Sequence, residues 1–206
     1  MSKVKSKKHS TFIDMTAMSD VTVLLLTFFM LTATFLPKEP IQVLAPASVV
    51  EVKIPEANLL TILIKPNGQA YVNLDRPHVK KAVLALVETD LGVTFTDKQV
   101  FSFMNQGMIG VPFNELPAFL DKQMLDQDAY LKTTGIPTDS TDNQLKRWIQ
   151  YTEMAYRGLN EEFQIALKAD RSTAYPQIHN VISTLQDLKL NRFNLVTTLK
   201  GMPDGF

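Results

Sequence analysis

Residues 15–36 read MTAMSDVTVLLLTFFMLTATFL, and Asp20 is the only charge among them. An α-helix rises 1.5 Å per residue, so about 20 residues cross a hydrocarbon core of roughly 30 Å, and this run is long enough to span a membrane. Pro37 ends it, because proline has no amide hydrogen to continue a helix. Lys3, Lys5, Lys7 and Lys8 precede the run, whereas Lys38 beyond it is balanced at once by Glu39. The positive-inside bias then puts residues 1–14 in the cytoplasm and everything after Pro37 outside it. A cleaved secretory signal also has a basic start and an apolar middle. Its apolar part is normally only about 7–15 residues and ends in a small-residue cleavage site, whereas the bulky Thr34-Phe35-Leu36-Pro37 closes this one. A retained anchor over residues 15–36 is the expectation.

Asp20 has two readings. An ionised aspartate at mid-helix costs about 2.5–3.5 kcal/mol on insertion scales, so it is tolerated mainly where it faces protein or water. Alternatively it sits among headgroups and caps a span that begins at Val21, although the remaining span of about 16 residues falls short of the usual minimum. Residues seven apart lie about 20° from one another on a helix, so Asp20, Thr27 and Thr34 share one stripe, with Leu24 and Leu31 filling its gaps. A polar stripe with one acid at its cytoplasmic end suits a proton or ion path. Threonine is a weaker signal, because its hydroxyl bonds its own helix backbone in membranes.

Composition excludes more than it assigns. Twenty-one basic and twenty-one acidic residues give a formal net charge of zero, which argues against a general nucleic-acid binder. There is no cysteine, so an exported domain must be held by packing. No phosphate-binding glycine loop, zinc spacing or nucleophile elbow is present, and no enzyme or cofactor is expected. His9, His78 and His179 fall in different predicted elements, and Asp97, Asp121, Asp126 and Asp128 read as solvated helix faces.

Residues 12–21, Phe-Ile-Asp-Met-Thr-Ala-Met-Ser-Asp-Val, run into Leu24-Leu25-Leu26 and Phe28-Phe29-Met30-Leu31. They resemble the anchor of the ExbD/TolR family, whose pattern reads Asp-Met-Thr-Pro-Met-(Ile/Val)-Asp-Val before an apolar run. Ala17 stands where proline is usual and Ser19 where an aliphatic residue is usual. The two-acid spacing, Asp14 and Asp20, is the specific part, and the resemblance maps Asp20 onto the family's essential membrane aspartate.

Beyond the anchor, residues 37–57 contain Pro37, Pro40 and Pro46 and read as an extended linker. Within it Val50-Glu51-Val52-Lys53-Ile54-Pro55 alternates apolar and charged residues, as a short strand does. It also resembles a family motif that pairs with a partner strand, which makes Val50, Val52, Ile54 and Pro55 a candidate switch; plain linker is the equal alternative. Residues 58–206 form the expected domain. Strands at 59–65 and 70–74 flank Pro66-Asn67-Gly68-Gln69, a hairpin signal. Asp75 as N-cap and Pro77 in the first turn open a helix with Val79, Val83, Leu84, Leu86 and Val87 at helical spacing. A strand at 161–169, a helix at 175–188 and a closing strand at 194–199 follow.

This β-β-α-β-α-β order, and Ala169-Asp170-Arg171 after the third strand, resemble the family's small periplasmic domain. The fold class expected is therefore α+β with one transmembrane helix. Residues 90–160 fall outside the resemblance and read as a helical insertion, with helices at 96–106, 114–122 and 142–159, the last with Trp148, Tyr151, Ala155 and Leu159 on one face. Packing against the domain is the simpler role for it, a binding surface the alternative.

The resemblance implies an inner-membrane subunit of a proton-driven motor. It implies a homodimer of this helix inside an ExbB-like pentameric membrane protein, surrounded by membrane lipids, with Asp20 binding the proton and the exported domain working on a TonB-like protein for outer-membrane transport. Thr27 and Thr34 would line the ion path. The preference for proton over sodium comes from the family. Two rivals stay open: a TolR-like envelope-integrity subunit that contacts peptidoglycan, and a passive anchored binding domain.

Overall fold

The computed structural model describes residues 15–33, 41, 43–48, 58–139 and 142–199. Its contacts divide the chain into two units, Met1–Pro37 and Lys38–Phe206.

In the first unit, helix α1 (Met15–Thr32) has no buried residue. It is apolar all round, with Val21, Leu24, Leu25, Phe28, Phe29 and Leu31 all exposed. A helix of that kind needs a membrane or a protein core around it, and it is long and apolar enough to cross a bilayer. Its threonine hydroxyls are turned onto the helix itself: Thr22 donates to the Met18 carbonyl at 2.7 Å and Thr32 to that of Phe28 at 2.8 Å.

The second unit is α+β. Strand β1 (Ala47–Ser48) pairs in parallel with β6 (Thr198–Leu199). The main sheet contains β2 (Leu59–Ile64), β3 (Ala70–Leu74), β4 (Gln164–Ala169) and β5 (Phe193–Leu195), in the order β3-β2-β4-β5. The β2–β3 pair is the expected antiparallel hairpin. Its turn closes through Gly68 N–H to the Lys65 carbonyl at 2.9 Å and Lys65 N–H to the Gln69 carbonyl at 3.0 Å. Gly68 takes φ +83°, a left-handed position that a short hairpin loop commonly requires and a side chain resists. Strands β2 and β4 run parallel over six residue pairs, and β4 and β5 are parallel too, so helices must carry the crossovers.

Leu60, Ile62 and Ile64 lie in register with Leu74, Val72 and Ala70 on one side and Ile165, Leu167 and Ala169 on the other, which builds one apolar face. The opposite face is buried at Leu63, Tyr71 and Ala166. Helix α2 (Pro77–Leu91) buries Val79, Val83, Leu84 and Val87 and ends at Gly92, which is left-handed at φ 63°. Helix α7 (Tyr175–Asp187) buries Val181 and Leu185.

Between α2 and β4 the insertion folds as α3 (Asp97–Asn105), α4 (Leu116–Asp121), α5 (Met124–Leu131) and α6 (Gln144–Gly158). Thr96 and Gln99 close a reciprocal capping box on α3. Trp148 of α6 is fully buried, stacked on Phe113 at 4.9 Å and on Phe103 at 6.3 Å. The insertion also covers the free edge of β3: Val72 and Ile109 exchange backbone hydrogen bonds at 2.8 Å, and Ile136 N–H reaches the Ala70 carbonyl at 2.9 Å. A covered edge cannot template foreign strands. Gly110 lies so close to the Tyr71 ring that an added Cβ would stand 2.0 Å from it. The insertion packs into the same hydrophobic core as the sheet, which is the packing role expected of it.

Several expectations need correction. Asp75 does not cap α2. Arg76 holds the N-cap position without a side-chain bond, while the Asp75 carboxylate accepts from the Leu59 amide at 3.2 Å and the Tyr156 hydroxyl at 3.3 Å, tying the hairpin to α6. The strand expected from residue 161 starts at Gln164, because Glu161 N–H bonds the Tyr156 carbonyl and finishes α6. The closing strand is split in two, with β5 on the main sheet and β6 on β1. Helix α5 had been given no bounds, although Asp126 and Asp128, read as a helix face, both lie in it. Leu159 is 40% exposed at the end of α6, while Trp148, Tyr151 and Ala155 are buried as predicted.

Candidate functional site

Asp20 is the sixth residue of α1, about 7.5 Å along the axis from Met15 at 1.5 Å per residue. A capping residue lies at the boundary of its helix, so Asp20 does not hold the N-cap position of α1. Among the described residues its carboxylate has no hydrogen-bond or ion-pair partner. One unpartnered acid on an otherwise uncharged apolar helix is costly when ionised, and the cost falls when it faces polar protein, water or a proton.

Thr27 lies on the same stripe one heptad on, and its hydroxyl donates to the carbonyls of Val23 at 3.0 Å and Leu24 at 2.9 Å. The backbone engages its proton, so what the side chain can offer a passing ion is oxygen lone pairs. Thr34 lies outside the described residues, as do Val50, Val52, Ile54 and Pro55.

In the second unit the turn after β4, where Ala169-Asp170-Arg171 carries part of the family resemblance, is a polar junction. One Asp170 carboxylate oxygen accepts from the Ser172 amide at 2.9 Å and the Ser172 hydroxyl at 2.5 Å, and the other accepts from the Leu44 amide at 3.0 Å. These bonds, those of Ser172 first, hold the Asp170 carboxyl below the usual carboxylate range. Lys80 of α2 is buried, and its ammonium donates to the carbonyls of Gln106 at 2.7 Å and Met104 at 3.2 Å, pinning the end of α3; burial lowers its pKa, with Asp75 acting against that shift. A polar cleft of about 470 Å³ lies where α6 meets α7, lined by Asn143, Lys146, Asn180, Ser183 and Asp187 among others.

Among the described residues no cluster of three or more His, Asp or Glu is placed to hold a metal. His78 pairs with Glu161 at 3.4 Å, and His179 sits 3.3 Å from the Ser183 hydroxyl.

An apolar helix long enough to cross a bilayer and bearing one acid, followed in the chain by a mixed α+β domain, is an arrangement that fits a membrane-anchored protein. The chain matches the family model described as biopolymer transport protein ExbD/TolR over residues 6–200, nearly its whole length, and it belongs to that family. The match runs through residues 90–160, which resemblance at the two ends had left out. Members are membrane-anchored, non-enzymatic proteins of biopolymer transport and envelope function, and they generally work with ExbB/TolQ-type membrane partners and TonB/TolA-like proteins. No match was found among curated proteins or among solved structures.

Proposed function

We propose that this chain is the ion-carrying subunit of an inner-membrane motor of the ExbB–ExbD type, with its N-terminus in the cytoplasm and residues 58–206 in the periplasm. Two copies of α1 stand inside a pentameric ExbB-like ring. Asp20 takes up a proton from one side and releases it to the other. When ionised, the carboxylate is drawn to polar groups of the ring; when neutral, it tolerates the apolar surroundings of the span. The proton gradient therefore biases the movement of the helix pair, and the exported domain passes that movement to a TonB-like protein. Thr27 and Thr34 line the path, and Val50, Val52, Ile54 and Pro55 supply a strand for a partner.

The observation that carries this reading is the position of Asp20, inside the helix and without a partner of its own. A passive anchor has no use for such a residue. The test is Asp20→Asn in cells, with membrane levels checked by blot. Loss of energised activity at equal protein level is the expected result, and retained activity would return the chain to a passive anchored domain. A TolR-like envelope role uses the same helix. Deletion distinguishes the two, since failure of energised uptake marks the first and sensitivity to detergent the second.

A further inference from the structure

A surface that rests on lipid offers cations to the headgroups and apolar or aromatic groups to the interface beneath them. One end of the domain is made this way. Strands β2 and β4 run parallel and finish together, with Ile64 in register with Ala169, so Lys65 and Arg171 leave the sheet at the same end. The Lys65 ammonium donates to the Lys132 carbonyl at 2.9 Å, which brings the exposed Lys132 there as well. Burial, and then the neighbouring Lys132 charge, lower the Lys65 pKa. The first turn of α7 also stands at this end, because the Gln177 side chain lies against Gly68 of the hairpin turn; two residues earlier Tyr175 is 71% exposed. Leu44, whose carbonyl accepts from the Arg171 amide at 2.8 Å, is 70% exposed. Two acids are near: Asp128, one turn before Lys132, and Asp170, whose oxygens are taken up by Ser172 and the Leu44 amide. The opposite end, where β4 begins, follows Glu161 and Glu162 instead.

The basic end is also where the chain enters the domain. Ile41 is 3% exposed in the core and Val43 packs against it, so the chain is fastened from Ile41 onward. Eight residues, 33–40, separate α1 from Ile41, and those nine Cα steps reach at most about 32 Å. A domain tethered only from residue 58 would have about 90 Å of chain. Lipid is therefore always within reach of the end that carries Leu44. We propose that this end, through Lys65, Lys132, Arg171, Leu44 and Tyr175, docks on the phospholipid headgroups of the bilayer that holds α1. The cations meet the phosphates, and Leu44 and Tyr175 enter the interface. The proposal needs the anchor and not the motor.

The chain has no cysteine, so a single one can be introduced and labelled. In the full-length protein in vesicles, a fluorophore on Ala174→Cys, beside Tyr175, should be quenched by a nitroxide carried on lipid headgroups. One on Glu162→Cys should not be; both positions are exposed, and the six residues of β4 set them about 17 Å or more apart. Leaving phosphatidylglycerol out of the vesicles, or introducing Lys132→Gln with Arg171→Gln, should lower the docked-to-free ratio about twentyfold, since each cation at an anionic surface is worth roughly fivefold. The lipid change acts on an unaltered domain, so a poorly folded variant does not leave the question open. Equal quenching at the two positions overturns the proposal, as does quenching at Ala174→Cys that is indifferent to phosphatidylglycerol. Asp20→Asn should leave the quenching unchanged, so the two ideas fail separately: an active Asp20→Asn sinks the motor, and absent quenching sinks the docking alone.

Discussion

Helices α1 and α6 are of similar length and opposite design. The eighteen residues of α1 bury nothing, whereas the fifteen of α6 bury seven, among them Trp148, Ile149 and Tyr156. Helix α6 sorts its residues by side, with Lys146, Arg147, Glu153 and Arg157 left toward solvent or in ion pairs, and it packs against α2. Such a helix takes its stability from one apolar face and could be replaced only by another with the same face. Helix α1 has no such face, so lipid or partner helices must satisfy it on every side, and its single charged residue, Asp20, is where information lies. In α6 the informative residue is the largest apolar one; in α1 it is the charged one.

The largest effect that bears on this contrast is Trp148→Ala. Removing a side chain stacked between Phe103 and Phe113 should cost about 3–5 kcal/mol, read as a lower denaturation midpoint of the full-length protein in detergent. Leu25→Ala in α1 should leave that midpoint within about 0.5 kcal/mol, and an equal loss would erase the distinction. Next in size is Asp20→Leu, which should favour membrane insertion by about 2.5–3.5 kcal/mol in a reporter that scores inserted against translocated helices, while energised function disappears. Insertion unchanged by the substitution would move Asp20 out of the apolar core. The smallest is Thr27→Val. Because the hydroxyl already bonds the Val23 and Leu24 carbonyls, insertion should change by less than about 1 kcal/mol and activity should fall less than tenfold, against complete loss for Asp20→Asn.

Local signals were legible where one segment supplies them. The Asn67-Gly68 turn and the spacing of Val79, Val83 and Val87 each declare an element without reference to anything distant. The misreadings share a cause. Asp75 has a cap's spelling but is bonded by Leu59 and Tyr156, which stand far from it in sequence. Residues 194–199 look like one strand, yet two different partners, β4 and β1, divide them. Helix α5 is short and is held by Gln127, whose amide reaches the Ser102 hydroxyl at 2.7 Å and the carbonyls of Phe119 and Lys122.

The sequence by itself determined the anchor, the acid within it and the family pattern around that acid. Length, apolarity and a lone charge are properties of one contiguous segment, and the membrane is a solvent that acts on each segment alone. Tertiary structure alone decided that the insertion covers the β3 edge and that residues 43–48 are docked through Asp170. Both depend on pairings between residues far apart in the chain, where backbone groups carry the bonds, and backbone groups are the same whatever the side chain.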